Sequence, residues 1–278
     1  MEAPLDRSAT WPYEDGEPGR FSYARADHPT GVACEELLGE LDGGHALLYP
    51  SGMGAVTTVL LTMLHSGGRI ALAEGAYYGH RVLFDHLRPW GVHVVEFDQT
   101  GPPPSNVDLV LVEAPANPLL TMPDLEAAAA YPAPVVCDAT VASPLRLRPL
   151  DHGCDVVLHS ATKVLAGHDD VVAGVTVTRD RDLRDRLHLT RRLAGIVASA
   201  DTAWLVRRGL ETLASRLDRQ GSRRAPTGTP RAGGSRHCTM KAVTIPYIIP
   251  SSFSAWLRMW QWYAHTPFCS AVGRTTTV

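Results

Sequence analysis

The sequence predicts an α/β protein whose core is a mostly parallel sheet with helices on both faces. Short apolar runs rich in Val, Leu and Ala alternate with longer segments of helical periodicity between residues 33 and 217. Such runs are typical of strands buried on both sides. Parallel neighbours also need helical crossovers, because the chain must return to the same end of the sheet before each new strand.

The predicted elements follow an N-terminal arm. Residues 1–30 are rich in Pro, Gly and charge and lack periodicity, so we expect an extended arm there. The predicted helices cover residues 33–41, 53–64, 79–87, 124–130, 181–193 and 201–217. The predicted strands cover residues 46–49, 70–73, 92–97, 109–112, 135–137, 156–158 and 171–177. Residues 31–220 therefore form one predicted domain.

The composition changes after Gln220. Residues 221–236 are basic, rich in Pro and Gly, and aperiodic, as expected for a linker. The alternation of strands and helices does not resume beyond them. We therefore expect residues 221–278 to form an atypical tail.

Charge and composition point to a protein of the cytoplasm that binds neither nucleic acid nor a membrane. The formal net charge of -3 provides no large positive field for nucleic acid. No apolar run approaches the roughly 20 residues that span a membrane, and the polar N-terminus has no signal-peptide core. The five cysteines are scattered, which suits a reducing compartment and disfavours zinc. Likewise, His159 and residues 167–170 give no ligand set at metal spacing, so we expect no metal.

Ser51-Gly52-Met53-Gly54 is a candidate phosphate site between a predicted strand and helix. Its small residues let a phosphate approach the free N–H groups of a helix start. Gly52-x-Gly54 also resembles the start of a dinucleotide fingerprint, with Glu74 about 20 residues on as a ribose-binding acid. Thr57 stands where that fingerprint needs its third glycine. The turn alone leaves the cofactor open.

Three further segments follow predicted strands, where ligands of parallel sheets bind. They are Tyr77-Tyr78-Gly79, then Asp138, then Ser160-Ala161-Thr162-Lys163. Alone, each has an ordinary explanation: packing aromatics, a helix-capping carboxylate and a solvated lysine. Their order after the phosphate turn matches the parts of a pyridoxal-phosphate site, namely a stacking aromatic, a carboxylate for the pyridine nitrogen and an imine-forming lysine.

These segments belong to a longer series of motifs. The series comprises Tyr23-Ala-Arg25, His28-Pro-Thr30, Ser51-Gly-Met53, Tyr78-Gly79, Glu113-Ala-Pro-Ala-Asn117-Pro118, Val136-Cys-Asp138-Ala-Thr140 and His159-Ser-Ala-Thr-Lys163. From about residue 20 to about 217 the sequence resembles the Cys/Met-metabolism family of pyridoxal-phosphate enzymes. That family includes cystathionine gamma-synthase, cystathionine gamma-lyase and methionine gamma-lyase. The resemblance implies the large domain of an aspartate-aminotransferase-like, fold type I enzyme.

The resemblance also implies residue roles. Lys163 would form the imine and shuttle protons, Asp138 would pair with the pyridine nitrogen, and Tyr78 would stack on the ring. The other cofactor-binding residues implied are Gly52, Met53, Ser160 and Thr162 at the phosphate, Asn117 near the ring's phenolic oxygen, and Tyr23 and Arg25 at a neighbouring subunit's phosphate. The last pair implies a homodimer or homotetramer.

The sequence departs from the family in several places. Ala139 stands where Asn usually follows the aspartate, Pro50 replaces a small polar residue, and His80 replaces a common second glycine. After Gln220 there is no R-x-S-x-G-like motif, which in the family supplies the arginine that binds the substrate carboxylate. The chain therefore looks truncated relative to the family, with the tail in place of its C-terminal domain.

The resemblance implies γ- (or β-) elimination on a sulfur amino acid such as cystathionine. γ-Replacement, as in cystathionine gamma-synthase, uses the same residues and stays open. A cofactor-binding remnant without turnover is a second class of hypothesis, motivated by the missing carboxylate-binding motif. The dinucleotide enzyme is a third.

Overall fold

The computed structural model describes residues 5–222. The predicted tail lies outside the described residues except for its first two positions. Residues 5–28 are irregular apart from a two-residue-per-strand hairpin.

The described elements agree closely in order with those expected from the sequence. The strands are β1 Tyr13–Glu14, β2 Glu17–Pro18, β3 His45–Tyr49, β4 Arg69–Ala73, β5 His93–Phe97, β6 Leu109–Glu113, β7 Val135–Asp138, β8 Val156–His159 and β9 Gly174–Thr178. The α-helices are α1 Pro29–Asp42, α2 Gly52–Met63, α3 Tyr78–Leu87, α4 Leu125–Ala129, α5 Arg181–Ala194, α6 Ala200–Leu210 and α7 Leu213–Ser222. Short 3-10 helices cover Arg88–Trp90 and Pro149–His152.

Seven strands form one sheet in the order β3-β9-β8-β7-β6-β4-β5. The five strands from β8 to β5 pair in parallel, and β9 runs antiparallel to both of its neighbours. The predicted mostly parallel sheet is therefore confirmed. All strands except β9 end at the same edge of this sheet.

Helices cover both faces of the sheet. Leu47 packs into a core with α2, α3 and α5, whereas its neighbour Leu48 packs into the opposite core with α1, α6 and α7. A third cluster places α4 against β6 and β7. Successive strand residues point to opposite faces, so apolar side chains at consecutive positions pack into both cores. No helix among residues 5–222 is long and apolar enough to cross a membrane.

Three of the differences from the predicted boundaries involve more than a shift of one residue at a strand or helix end. Helix α1 begins at Pro29, four residues early, because the His28 Nδ1 accepts a hydrogen bond from the Gly31 N–H and caps the helix. The predicted strand 171–177 begins only at Gly174, since Ala173 hydrogen-bonds instead with the Thr162 hydroxyl. The predicted helix 201–217 is two helices, because the helix is interrupted at Glu211 although the apolar spacing of the sequence continues.

Candidate active site

Polar residues end or follow several strands at the edge of the sheet where the parallel strands end, and the predicted Asp138 is one of them. Glu113, Asp138 and His159 are the last residues of β6, β7 and β8, and Glu113 lies directly opposite Asp138 in register. Ser51 lies just beyond the end of β3 and begins α2. Adjacent parallel strands thus bring together residues that are far apart in the sequence.

The Ser51-Gly52 turn forms a close-packed cradle. The Ser51 Oγ accepts a hydrogen bond from the Gly54 N–H at 2.9 Å and caps α2. A Cβ on Gly52 would lie 3.1 Å from the Ser160 Cβ, and one on Gly174 would lie 2.2 Å from the Ser51 carbonyl oxygen. The turn therefore rests on Gly174 and faces Ser160. The first N–H groups of α2 lack partners within the helix and suit an anion.

The two hydroxyl residues beside the lysine differ in their surroundings. Ser160 is next to Gly52, and its N–H donates to the Thr140 Oγ1 at 2.7 Å. The Thr162 hydroxyl instead donates to the Ala173 carbonyl at 3.1 Å and accepts from the Ala173 N–H at 3.0 Å. Ser160 thus lies in the cradle, while the Thr162 hydroxyl is engaged in fixing the turn. Phosphate binding by either residue stays a prediction.

Lys163 lies on a firmly held turn with its side chain exposed. Its neighbours Val164 and Leu165 are buried in the core. The Arg216 guanidinium donates to the carbonyl oxygens of both, at 2.6 and 3.1 Å. The side chains of Val164 and Leu165 belong to the core, so desolvation of the exposed Lys163 amine would have to come from a bound group.

Asp138 presents a half-buried carboxylate at the end of β7. Its side chain is 16% exposed, and its Oδ1 accepts a hydrogen bond from the Thr140 N–H at 2.9 Å. Ala139, which replaces the family's asparagine, is fully buried. The carboxylate is therefore oriented by the backbone and remains partly exposed.

The sequence assigns no role to His80 or Glu113, whose side chains meet beside Asp138. The His80 ring is 1% exposed, with Nδ1 3.2 Å from the Glu113 Oε1 and Nε2 3.8 Å from the Asp138 Oδ2. Burial alone would favour the neutral ring, but contact with Glu113 and the charges of Glu113 and Asp138 outweigh it and raise the pKa of His80. The sequence signal that could have pointed to His80 is its departure from the resembled family, in which a second glycine is common after Gly79.

Glu113 also organises the loops above it. Its Oε1 accepts a hydrogen bond from the Tyr77 N–H at 2.6 Å, and its Oε2 accepts one from the Asn117 N–H at 3.1 Å. The predicted ring-binding residues Tyr78 and Asn117 therefore flank the same buried acid. The Tyr78 side chain is half exposed, with its ring edge-on to Tyr77 at 4.8 Å. Stacking of Tyr78 on a cofactor stays a prediction.

The predicted intersubunit pair lies at the surface of this chain. Tyr23 and Arg25 are both exposed, and the Arg25 guanidinium lies 5.2 Å from the Tyr23 ring centroid. Arg25 also donates to the Arg192 carbonyl at 2.9 Å. Contact with a neighbouring subunit stays a prediction.

The side chains considered for a metal have other partners. His159 is buried with its Nε2 2.9 Å from the Asp42 Oδ2, and His168 pairs with the Ala166 carbonyl. Within residues 5–222, the donor atoms of His80, Glu113 and Asp138 do lie within 4.8 Å of one another. The two His80 nitrogens contact different carboxylates, so Glu113, His80 and Asp138 form a series of polar contacts with the imidazole in the middle.

These residues fit pyridoxal phosphate. At Gly52 the backbone lies too close to Ser160 for a side chain to fit easily, and this glycine opens a helix whose first N–H groups suit a phosphate. Asp138 would supply a carboxylate for the pyridine nitrogen, and Lys163 would supply the amine for the aldehyde carbon. Met53, half-buried in the first turn of α2, lies beside the cradle.

Comparisons with known proteins point the same way. A family model described as Cys/Met metabolism PLP-dependent enzyme matches residues 1–225. Cystathionine beta-lyase MetC of Bacillus subtilis is 33% identical over 232 residues, covering 79% of this chain and 59% of the relative. Cystathionine gamma-lyase of the same organism is 35% identical over 215 residues, covering 73% and 56%.

A solved structure is similar as well. Cystathionine gamma synthase from Xanthomonas oryzae pv. oryzae, in complex with aminoacrylate and cysteine, superposes with a TM-score of 0.73 at 36% identity. The match covers 76% of this chain and 58% of that chain. The chain thus spans less than two thirds of the length of the relatives it matches.

Proposed function

The chain belongs to the Cys/Met-metabolism family of pyridoxal-phosphate-dependent enzymes, and from this premise we propose that it binds the cofactor through Lys163 and eliminates the sulfur substituent of an amino acid such as cystathionine. The observation that carries the proposal is the convergence, at one edge of the sheet, of the Gly52–Ser160 cradle, Asp138 and the turn bearing Lys163. The family match favours this cofactor over the dinucleotide alternative.

Each residue has a part in the proposed reaction. Bound pyridoxal phosphate supplies an electron sink that stabilises negative charge at the substrate's α-carbon. Asp138 holds a proton at the pyridine nitrogen, because its carboxylate is fixed by the Thr140 N–H. The Lys163 Nζ removes and returns the proton at the α-carbon. Gly52 and Ser160 bind the phosphate and so fix the ring between Asp138 and Lys163.

γ-Replacement is the second candidate. The similar proteins include two lyases and a synthase, and the proposed residue roles serve both reactions. Elimination converts cystathionine and water into a thiol, a keto acid and ammonia, without a second amino-acid substrate. Replacement instead joins cysteine to an activated homoserine, so the products of each substrate set distinguish the two.

Lys163 offers an unusually clean test, because the 278 residues contain only one other lysine, Lys241. The purified chain should take up pyridoxal phosphate with visible absorbance. Borohydride should then fix the cofactor, and peptide mapping should find it on Lys163. Lys163→Ala should abolish the fixed label, whereas the matched control Lys241→Ala should retain it. Labelling that survives Lys163→Ala would overturn the assignment.

Turnover is tested separately, since a remnant that only binds cofactor is the alternative. Cystathionine is added to the cofactor-loaded protein before any borohydride treatment, and the released thiol and keto acid are measured. Release that depends on Lys163 supports the lyase. A stable cofactor band with no product supports the remnant.

A further inference from the structure

The buried His80 ring contacts two carboxylates, and one of them belongs to Asp138 of the proposed cofactor site. Glu113 and Asp138 are opposite each other on adjacent parallel strands, so their carboxylates are held close together. Two neighbouring carboxylates disfavour each other's ionisation unless a positive charge lies between them. His80, from the first turn of α3, occupies that position.

The His80 ring spans the two acids. Nδ1 is 3.2 Å from the Glu113 Oε1, and Nε2 is 3.8 Å from the Asp138 Oδ2. The side chains of His80 and Glu113 are 1% and 5% exposed, so water does not screen their contact strongly. The Nδ1 makes no well-directed hydrogen bond, which leaves its contact with Glu113 mainly electrostatic.

The titratable groups that face the ring come from three elements. They are Glu113 from β6, Asp138 from β7, and Tyr77 at the start of α3, whose ring lies edge-on at 5.6 Å. His159, at the end of β8, interacts electrostatically with Asp138, but its close partner is Asp42. The groups nearest to the imidazole nitrogens are therefore acidic.

We propose that His80 is a positioning residue: as an imidazolium it bridges Glu113 and Asp138, and it holds the Asp138 carboxylate aimed at the pyridine nitrogen of the cofactor. This inference rests on the proposed function. Glu113 extends the bridge to Tyr77 and Asn117 through its two hydrogen bonds.

The bridge has a pH dependence of defined sign. His80 is charged below its raised pKa, and cofactor affinity is then greatest. As the pH rises through that pKa, the ring loses its proton and the two carboxylates face each other across a neutral group. Asp138 then loses its positively charged partner, its carboxylate is held less firmly, and cofactor affinity falls.

Two measurements test this. In cofactor-free protein, ¹⁵N NMR of labelled histidines should show the signal that disappears in His80→Gln titrating above the ordinary value of about 6.5. At neutral pH, His80→Gln should weaken pyridoxal-phosphate binding by about tenfold or more and flatten its alkaline fall. The control His86→Gln, an exposed position on the same helix, should bind and titrate like the unmodified chain. Urea unfolding of each variant checks that it folds.

The outcomes separate the two claims. A His80 titration at or below its ordinary value, or folded His80→Gln binding cofactor with unchanged affinity and pH profile, overturns the bridge while leaving the proposed function intact. An unmodified chain that binds no cofactor overturns the proposed function, and the inferred role of His80 toward the cofactor falls with it, whatever the NMR titration shows.

Discussion

Gly174→Ala tests whether the phosphate cradle depends on close backbone packing beneath it. Gly174 begins β9 and lies under the Ser51-Gly52 turn. An added Cβ would lie 2.2 Å from the Ser51 carbonyl oxygen and 2.8 Å from the Gly52 Cα. Ordinary contact begins at about 3.4 Å, so the turn would have to move by about 1.2 Å. Both atoms belong to the backbone, and no side-chain rotation can relieve the clash.

The expected cost follows from overpacking. We expect the free energy of unfolding to fall by about 1–3 kcal/mol. We also expect weaker pyridoxal-phosphate binding, because the displaced turn carries the first N–H groups of α2 away from the phosphate. Urea unfolding measures the first effect, and a titration followed by visible absorbance measures the second.

Gly101→Ala is the matched control. Gly101 is exposed, and a Cβ there would meet only the Asp98 carbonyl oxygen at 3.7 Å. Its stability and affinity should be close to those of the unmodified chain. If Gly174→Ala behaves like Gly101→Ala in both assays, the cradle does not depend on this contact and the reasoning is refuted.

Two further predictions concern buried titratable groups. Burial favours a neutral His159, but the Asp42 charge and hydrogen bond, with help from Asp138, raise the pKa of His159. Its stabilising contribution is therefore complete below the unfolded value of about 6.5 and is lost as the pH rises through the folded pKa. Asp42→Asn should lower the free energy of unfolding at pH 6 by about 3–5 kcal/mol and flatten this pH dependence, as urea titrations at several pH values would show; an unchanged pH profile would contradict it. Burial also raises the pKa of the Cys34 and Cys137 thiols, so neither should be alkylated by iodoacetamide in the folded protein at pH 8. Mass spectrometry before and after denaturation checks this, and rapid native labelling of either thiol would count against it.

The sequence predicts the element order because buried strands and amphipathic helices have distinct apolar patterns. It fails where a local contact decides the boundary. His28 caps α1 with its ring, a role more often taken by Ser, Thr, Asp or Asn. Ala173 looks like a strand residue by composition, yet its N–H and carbonyl are taken by Thr162. The break at Glu211 leaves the apolar spacing intact.

The candidate site was predictable to the extent that its residues follow strands. Asp138 and Ser160 lie where the parallel sheet places strand ends, and that placement needs no pairwise contact information. His80 could not be assigned in the same way, because its partners Glu113 and Asp138 are 33 and 58 positions away. Only the sheet register brings them together around one ring. The His159–Asp42 pair was hidden for the same reason.

The central claim is that Lys163 is the amine that binds pyridoxal phosphate. Borohydride reduction of the cofactor-loaded chain, followed by peptide mapping, tests it most directly, because Lys241 is the sole other lysine. We predict a stable label on Lys163 that is lost in Lys163→Ala and retained in Lys241→Ala. A label on Lys241, or none on Lys163 in folded protein saturated with cofactor, would contradict the claim.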